Sequence, residues 1–242
     1  MSEWLEEVCD SMERFSTKYS LLYQKTRREL YAHFEIGCLL ALIGYYERMG
    51  CTVRPENLVD GVYRYLTTPS GNPLNFSHIA CLTSDEAFEI RQQVRVVSHV
   101  DSGIAFTPDI VVLKPAPTIH KDRDSAYASG KRSFFHVKAA DVIALHECKS
   151  LPPFPELLVS FLGSVFVGNG WLDDLRDRSV VDPEGLHLAP TLFVCGSARS
   201  VHLKMVRSMK ATFPINIVLG MHSGTWDLSG ERASLTRMKT PV

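Results

Sequence analysis

The sequence predicts an α/β fold in which a mixed central sheet is flanked by helices. Apolar residues follow a helical period in the N-terminal part, short β-rich segments fill the middle, and strand-like and helix-like segments alternate towards the C-terminus. The chain contains no internal repeat and no clear linker. We therefore divide it into an N-terminal helical extension, residues 1–30, and one α/β domain, residues 31–242.

The helices are predicted from the spacing of apolar residues. An amphipathic helix covers 2–16, and a longer helix, or two abutting helices, covers 18–49 and ends at Gly50. Two further helices are predicted over 157–167 and 201–212.

The strands are predicted where apolar residues alternate with polar ones or form short uninterrupted runs. They cover 62–66, 89–100, 106–113, 134–137, 141–149, 192–195 and 215–219. The polar stretch 115–133 is predicted to be an exposed loop. The tail after Gly220 shows only a weak pattern.

Composition limits the class of protein. The 242 residues are 45% hydrophobic and 22% charged, which excludes a chain that is mainly disordered. The formal net charge of -1 excludes a globally basic nucleic-acid-binding protein, but it leaves room for a locally basic groove. The longest apolar run, 36–46, is shorter than the about 20 residues that cross a bilayer, and the N-terminus lacks a signal-peptide pattern. We expect a cytoplasmic protein with no membrane contact.

The six cysteines show no CxxC spacing, so neither a zinc knuckle nor a redox motif is predicted. We expect free, mostly buried thiols. His146 and Cys148 share a strand face, which is compatible with a Cys–His catalytic pair, but a buried thiol on a central strand is far commoner.

Two predicted strands carry charged residues where apolar residues are expected. Asp109 opens one apolar run, and Glu147 and Lys149 end another. Side chains alternate along a strand, so Glu147 and Lys149 share a face. If the two strands are neighbours, Asp109 lies beside Glu147, and two carboxylates that close repel each other unless a cation lies between them. Their hard oxygens suit Mg²⁺.

Two more charged residues fit such a site. Lys149 can orient the attacking water, help to deprotonate it, or stabilise the charge that develops on a phosphate. Glu35 shares an inward helix face with Leu39 and Leu42, where an acid needs a partner. Glu29 is the competing acid on this helix.

Each of these residues also has a structural interpretation. Asp109 suits a cap at a strand edge, Glu147 and Lys149 suit a solvated ion pair, and Glu35 suits an ordinary helix surface. The two motifs occur once each, in order, and each within an apolar strand. This conjunction favours the metal site.

The arrangement resembles the PD-(D/E)xK nuclease superfamily, which has the restriction-endonuclease-like fold. The resemblance rests on the helix with Glu35, on the Asp109 strand that follows a proline, and on the triplet Glu147-Cys148-Lys149 with the apolar helix and strand after it. The family core runs α-β-β-β-α-β, as the predicted elements do. Asp109 and Glu147 are 38 positions apart, which is long for this motif, and the stretch 115–133 absorbs part of the excess.

The resemblance implies metal-dependent hydrolysis of phosphodiester bonds. Asp109 and Glu147 would bind Mg²⁺ or Mn²⁺, with the Cys148 carbonyl as a further ligand. Lys149 would be the catalytic lysine and Glu35 an auxiliary acid. DNA is expected over RNA, and endonuclease action over other modes.

Five basic residues in or just after the predicted loop are candidate contacts to phosphates: Lys121, Arg123, Lys131, Arg132 and Lys138. A solvated loop of mixed charge is the alternative, because Asp122 and Asp124 lie among them.

Two other functions stay open at this point. One is a non-catalytic nucleic-acid-binding or assembly module of the same fold. The other is a nuclease subunit, for example in phage defence or repair, that needs a partner or an activating ligand. The near-neutral charge favours help from a homodimer or a partner subunit, since the intrinsic hold on nucleic acid would be weak. The helices of residues 1–30 lie outside the matched core and are the candidate interface.

Overall fold

The computed structural model describes residues 3–20, 22–23, 30–69, 71–123, 133–197, 199–221, 228 and 235–241. Within them the chain forms a mixed α/β fold with a large central sheet flanked by helices, as predicted. The helices of the described residues are α1 Glu3–Lys18, α2 Leu30–Arg48, α3 Pro155–Gly168 and α4 Ser200–Thr212.

The strands of the same residues are β1 Leu22–Tyr23, β2 Thr52–Glu56, β3 Val62–Tyr63, β4 His78–Leu82, β5 Ala87–Gln92, β6 Arg95–Val97, β7 Ala105–Phe106, β8 Ile110–Leu113, β9 His120–Arg123, β10 Ser133–Lys138, β11 Val142–Lys149, β12 His187–Leu188, β13 Thr191–Val194, β14 Asn216–Leu219 and β15 Arg237–Met238.

The central sheet has seven strands in the order β14-β13-β11-β8-β5-β4-β2. From β2 to β11 each neighbouring pair is antiparallel, whereas β11, β13 and β14 are parallel to one another. A smaller sheet has the order β7-β6-β10-β9, and β1-β3 and β12-β15 form two-stranded pairs. The sheet is therefore mixed. Helix α3 connects β11 to β13, the first two strands of its parallel part.

Helices cover both faces of the central sheet. Phe193 of β13 belongs to a core cluster with α1 and α2, whereas its neighbours Leu192 and Val194 belong to a cluster with α3 and α4. Because successive side chains of a strand point to opposite faces, the two helix pairs lie on opposite sides. None of the described helices combines the length and the apolar character that crossing a bilayer requires.

The prediction of helix from 18 to 49 is wrong in its first part. Helix α1 ends at Lys18, and Ser20 has a φ of 52°, a left-handed conformation that a helix cannot contain. The short strand β1 then pairs with β3, and α2 begins at Leu30. The strand predicted over 62–66 is also shorter, since only Val62–Tyr63 is paired as a strand.

Two predicted strands are each divided between the two sheets. The segment 89–100 breaks at Gln93, which has a φ of 51°, and the segment 106–113 breaks between Phe106 and Ile110. The alternation of 89–100 runs through its break, and the apolar run of 106–113 begins only after its own break, so neither pattern reveals the change of sheet. The predicted loop 115–133 is also wrong in part, because it contains β9, which pairs with β10.

Candidate active site

The two breaks lie side by side, at one end of the central sheet. Gln92 at the end of β5 pairs with Ile110 at the start of β8, and Ile110 pairs with His146 of β11. Asp109 directly precedes Ile110, and Glu147 directly follows His146. The antiparallel pairing therefore brings both predicted strand acids to the same end of the central sheet.

Lys149 connects the two strand acids. Its Nζ donates a hydrogen bond to Asp109 Oδ2 at 2.8 Å and another to Glu147 Oε2 at 2.7 Å. The side chain of Lys149 is 33% exposed, against 10% for Asp109 and 12% for Glu147. Lys149 is thus the most accessible of the three side chains.

The backbone of Cys148 also faces Asp109. Its N–H donates to Asp109 Oδ2 at 2.7 Å. In a strand, the N–H and C=O of one residue point to the same edge, so the Cys148 carbonyl is directed to this side as well. The Cys148 thiol is buried on the other face, next to the Cys38 thiol of α2.

Glu35 joins the site through a residue absent from the prediction. Gln93 Nε2 donates to Glu35 Oε2 at 3.1 Å and to Asp109 Oδ1 at 3.0 Å, and all three side chains are buried. The signal in the sequence is weak: a second glutamine, Gln93, follows Gln92 where β5 ends. The competing acid Glu29 lies outside the described residues. We call the five residues Glu35, Gln93, Asp109, Glu147 and Lys149 the acid cluster.

Burial and the charge of a neighbouring acid disfavour the charged forms of Glu35 and Glu147. Burial, and then the charge of Asp109, raises the pKa of Glu35 to about 8. The same two causes raise the pKa of Glu147 to about 7, although Lys149 opposes them. Burial alone would lower the pKa of Lys149, but the charges of Glu147 and Asp109 outweigh it and raise that pKa. The lysine is therefore protonated at neutral pH.

With its acids ionised, the cluster would have more negative charge than its single lysine can balance, so a further cation would stabilise the ionised form. Among the described residues, no set of three or more His, Cys, Asp or Glu side chains surrounds a common ion position. The geometry accounts for this: Lys149 takes one oxygen of each strand acid, and the Gln93 amide stands between Glu35 and Asp109.

The Cys–His interpretation has no support in the structure. His146 and Cys148 are both buried, and burial raises the pKa of the Cys148 thiol well above its ordinary value. None of the six cysteines, all of which lie within the described residues, forms a disulfide, and four of them are buried.

Two of the predicted basic residues, Lys121 and Lys138, lie in the smaller sheet. Strand β10 runs parallel to β6, and His136 pairs with Arg95. Phe134 comes two residues before His136, so it lies at the end of the smaller sheet that is near Gln93. Lys121 lies opposite Phe135 and is exposed, whereas Lys138 lies opposite Val97, at the far end of β6.

The other three basic residues cannot be placed in the same way. Lys131 and Arg132 lie outside the described residues, and only the backbone of Arg123 lies within them.

Comparison of the chain with protein-family models, with curated proteins and with solved structures finds no match.

Proposed function

We propose that this protein is a metal-dependent nuclease of the PD-(D/E)xK type, which hydrolyses phosphodiester bonds, with DNA as the expected substrate. One observation carries the proposal: Lys149 bridges Asp109 and Glu147 where three adjacent strands meet. Strand β8 is apolar and buried along its whole length, and β11 is apolar and buried from Val142 to Leu145. Ion pairing alone needs no such burial, because the same pair is cheaper to hold on a solvated surface.

The order of elements supports the same proposal. Helix α2 is followed by the antiparallel strands β5, β8 and β11, then by α3, and then by β13, which is parallel to β11. This is the order α-β-β-β-α-β that the resemblance implies. Strands β2 and β4, the smaller sheet and α4 are additions to it.

The residues present fit Mg²⁺ or Mn²⁺ in their chemistry. Asp109 and Glu147 would hold the ion through carboxylate oxygens, and the Cys148 carbonyl faces the same side. Lys149 donates to one oxygen of each of these two carboxylates, and its side chain is partly exposed. A bound ion would supply Lewis-acid polarisation of the phosphate and a more acidic water.

Lys149 has the role of a charged donor in this proposal. Its raised pKa keeps it protonated, so it donates hydrogen bonds and does not take a proton from water. An ammonium group held by two carboxylates is fixed in direction, so it can orient the attacking water and stabilise charge on the phosphate oxygens. Glu35 supports the site through Asp109, to which Gln93 connects it.

The smaller sheet supports a nucleic-acid substrate. Arg95 lies over the Phe134 ring at 4.3 Å, and Lys121 lies 5.9 Å from the centre of the Phe135 ring. Cationic groups combined with aromatic rings are typical of surfaces that contact phosphates and bases. The register places the Arg95 end of this sheet beside the acid cluster, because Arg95 is two residues from Gln93.

A cleavage assay tests the proposal. Supercoiled plasmid, linear duplex, single-stranded DNA and RNA are incubated with Mg²⁺, Mn²⁺ or EDTA. The wild type is compared with Asp109→Ala and Lys149→Ala, and with Asp173→Ala and Lys204→Ala, which change exposed residues elsewhere. We expect metal-dependent cleavage that falls by roughly 100-fold or more in the two site variants only.

Full activity of Asp109→Ala would contradict the proposal. A folded wild type that neither cleaves nor binds Mn²⁺ would also contradict it and would favour a non-catalytic module. A wild type that binds Mn²⁺ without cleaving would favour a subunit that needs a partner or an activating ligand.

A further inference from the structure

Gln93 has a backbone conformation that its side chain does not favour. Its φ of 51° lies in the left-handed region, where glycine is the usual residue. Here β5 ends and the chain turns towards the smaller sheet, and the N–H of Gln93 donates to the Asp109 carbonyl at 3.1 Å. Such a conformation persists only where the surrounding contacts hold it.

The side chain of Gln93 contacts two acids with one nitrogen. A glutamine amide nitrogen has two hydrogens, and Nε2 uses them on Glu35 Oε2 and Asp109 Oδ1. Gln93 is 6% exposed, so water competes little for these bonds. An uncharged donor thus holds two acids together on the side of Asp109 that Lys149 does not contact.

The division of the Asp109 oxygens follows from these contacts. Oδ1 accepts from Gln93, whereas Oδ2 accepts from Lys149 and from the Cys148 N–H. Asp109 therefore cannot rotate about its carboxylate axis without breaking bonds on both sides. Among the described residues Glu35 accepts a side-chain hydrogen bond from Gln93 only, and so its position depends on the amide.

We propose that Gln93 is a positioning residue of the acid cluster: its amide fixes Glu35 against Asp109 and sets the orientation in which Asp109 presents Oδ2 to a metal ion. The inference rests on the proposed function for its metal, and it adds a residue that acts through Asp109 and Glu35. Partners of this kind, one bond removed from a metal, typically change metal affinity by about 10–100-fold when they are lost.

Gln93→Gly distinguishes the role of the side chain from that of the backbone conformation. Glycine adopts a positive φ without strain, so this variant keeps the turn and removes the side chain with its amide. We expect Mn²⁺ affinity, measured by calorimetry or by the EPR signal of free Mn²⁺, to fall about tenfold or more. Gln93→Asn, which keeps an amide and tolerates this φ but is one methylene shorter, should show a similar loss.

The neighbouring glutamine is the matched control. Gln92 is also buried, and its Nε2 has no hydrogen-bond partner among the described residues. Gln92→Ala should therefore leave Mn²⁺ affinity unchanged. Wild-type affinity in Gln93→Gly would overturn the inference, because the backbone turn would then be the whole role of this residue.

A double variant keeps the inference testable if the proposed function fails. Failure of the function appears in the wild type itself, as absence of Mn²⁺ binding. In that case the melting temperatures of Gln93→Gly, Glu35→Ala and the double variant are compared in EDTA. We expect the two single shifts not to add, since either variant removes the same hydrogen bond between Gln93 and Glu35. Additive shifts would overturn the inference without reference to metal.

Discussion

The acids of two polar clusters in this protein have pKa values that are shifted in opposite directions. In the acid cluster, burial and like charge raise the pKa values of Glu35 and Glu147. In a second cluster, which we call the His187 network, hydrogen bonding from His187 lowers the pKa of Glu86. The His187 network consists of Tyr46, Glu86, His187 and Thr240.

The His187 network satisfies its members. His187 is fully buried, with Nδ1 3.1 Å from the Tyr46 hydroxyl and Nε2 3.0 Å from the Thr240 hydroxyl. The Thr240 hydroxyl in turn donates to Glu86, whose Oε2 lies 3.5 Å from His187 Nε2. The network ties α2, β12 and the C-terminal segment together, so a structural role accounts for it.

The difference shows why burial of charge alone does not identify a functional site. Glu86, which accepts hydrogen bonds in the His187 network, is stabilised in its charged form, and the fold gains from it. Glu35 and Glu147, which lie close to a third carboxylate, are destabilised in their charged forms, and the fold retains them at a cost. The sign of the pKa shift separates the two clusters, and the predictions below test that sign.

The largest effect is expected from Lys149→Met, which removes the charge and keeps the stem. Cleavage should fall by roughly 100-fold or more, because the charged donor at the reacting phosphate is lost. Mn²⁺ affinity should be kept or increased, since the ammonium group no longer contacts the oxygens of Asp109 and Glu147. Single-turnover cleavage and calorimetry measure the two effects separately. Loss of both together would show that Lys149 only holds the acids in place.

Glu35→Gln should stabilise the metal-free protein. The folded-state pKa of Glu35, about 8, lies above its ordinary value of 4.5. The folded state therefore binds the proton more tightly, and its stability falls as the pH rises through this interval. Glutamine removes the buried charge and keeps an oxygen for Gln93. At pH 8 in EDTA we expect a gain of roughly 1–3 kcal/mol in the free energy of unfolding.

The same measurement with Mn²⁺ supplies the control. A ligand that binds the folded state alone stabilises it, so the wild type should gain more from Mn²⁺ than Glu35→Gln does. If Glu35→Gln were less stable than the wild type in EDTA at pH 8, the charged form of Glu35 would stabilise the fold, as that of Glu86 does. This result would contradict the contrast between the acid cluster and the His187 network.

His146 is an intermediate case, a buried polar group that no partner satisfies. Neither ring nitrogen has a hydrogen-bond partner within the described residues, and burial lowers its pKa to about 3. His146→Leu should increase the free energy of unfolding at pH 7 by about 1–2 kcal/mol, since it removes an unpaired buried group next to Phe193.

The pH dependence of His146 follows from the same shift. Between its ordinary pKa of 6.5 and about 3, the unfolded state binds a proton that the folded state does not. Stability is therefore lost as the pH falls, by at most about 1.4 kcal/mol per pH unit from this group. Denaturation of His146→Leu at pH 7 and pH 5 should show a smaller loss than the wild type. An equal loss would mean that other groups set the acid limit.

The sequence predicts the acids of the site better than it predicts how they are held. Asp109 and Glu147 stand out because a charge in an apolar strand is unusual whatever the pairing. Gln93 does not stand out, because its role depends on a backbone turn between two sheets, and the alternation of residues is the same on both sides of that turn. Strand β9 was hidden for a related reason: an edge strand of polar residues has the composition of a loop.

Glu86→Gln gives the smallest effect and the most direct test of the comparison. The lowered pKa means that Glu86 stabilises the fold above its ordinary value of 4.5, and that this contribution is lost as the pH falls through the lowered value. Glutamine keeps an acceptor but removes the charge, and the site is partly exposed, so we expect a loss of only about 0.5 kcal/mol at pH 7. Chemical denaturation beside Glu35→Gln in EDTA should thus show shifts of opposite sign for one and the same substitution. If both variants gained stability, the His187 network would share the strain of the acid cluster, and strain would no longer mark the functional site.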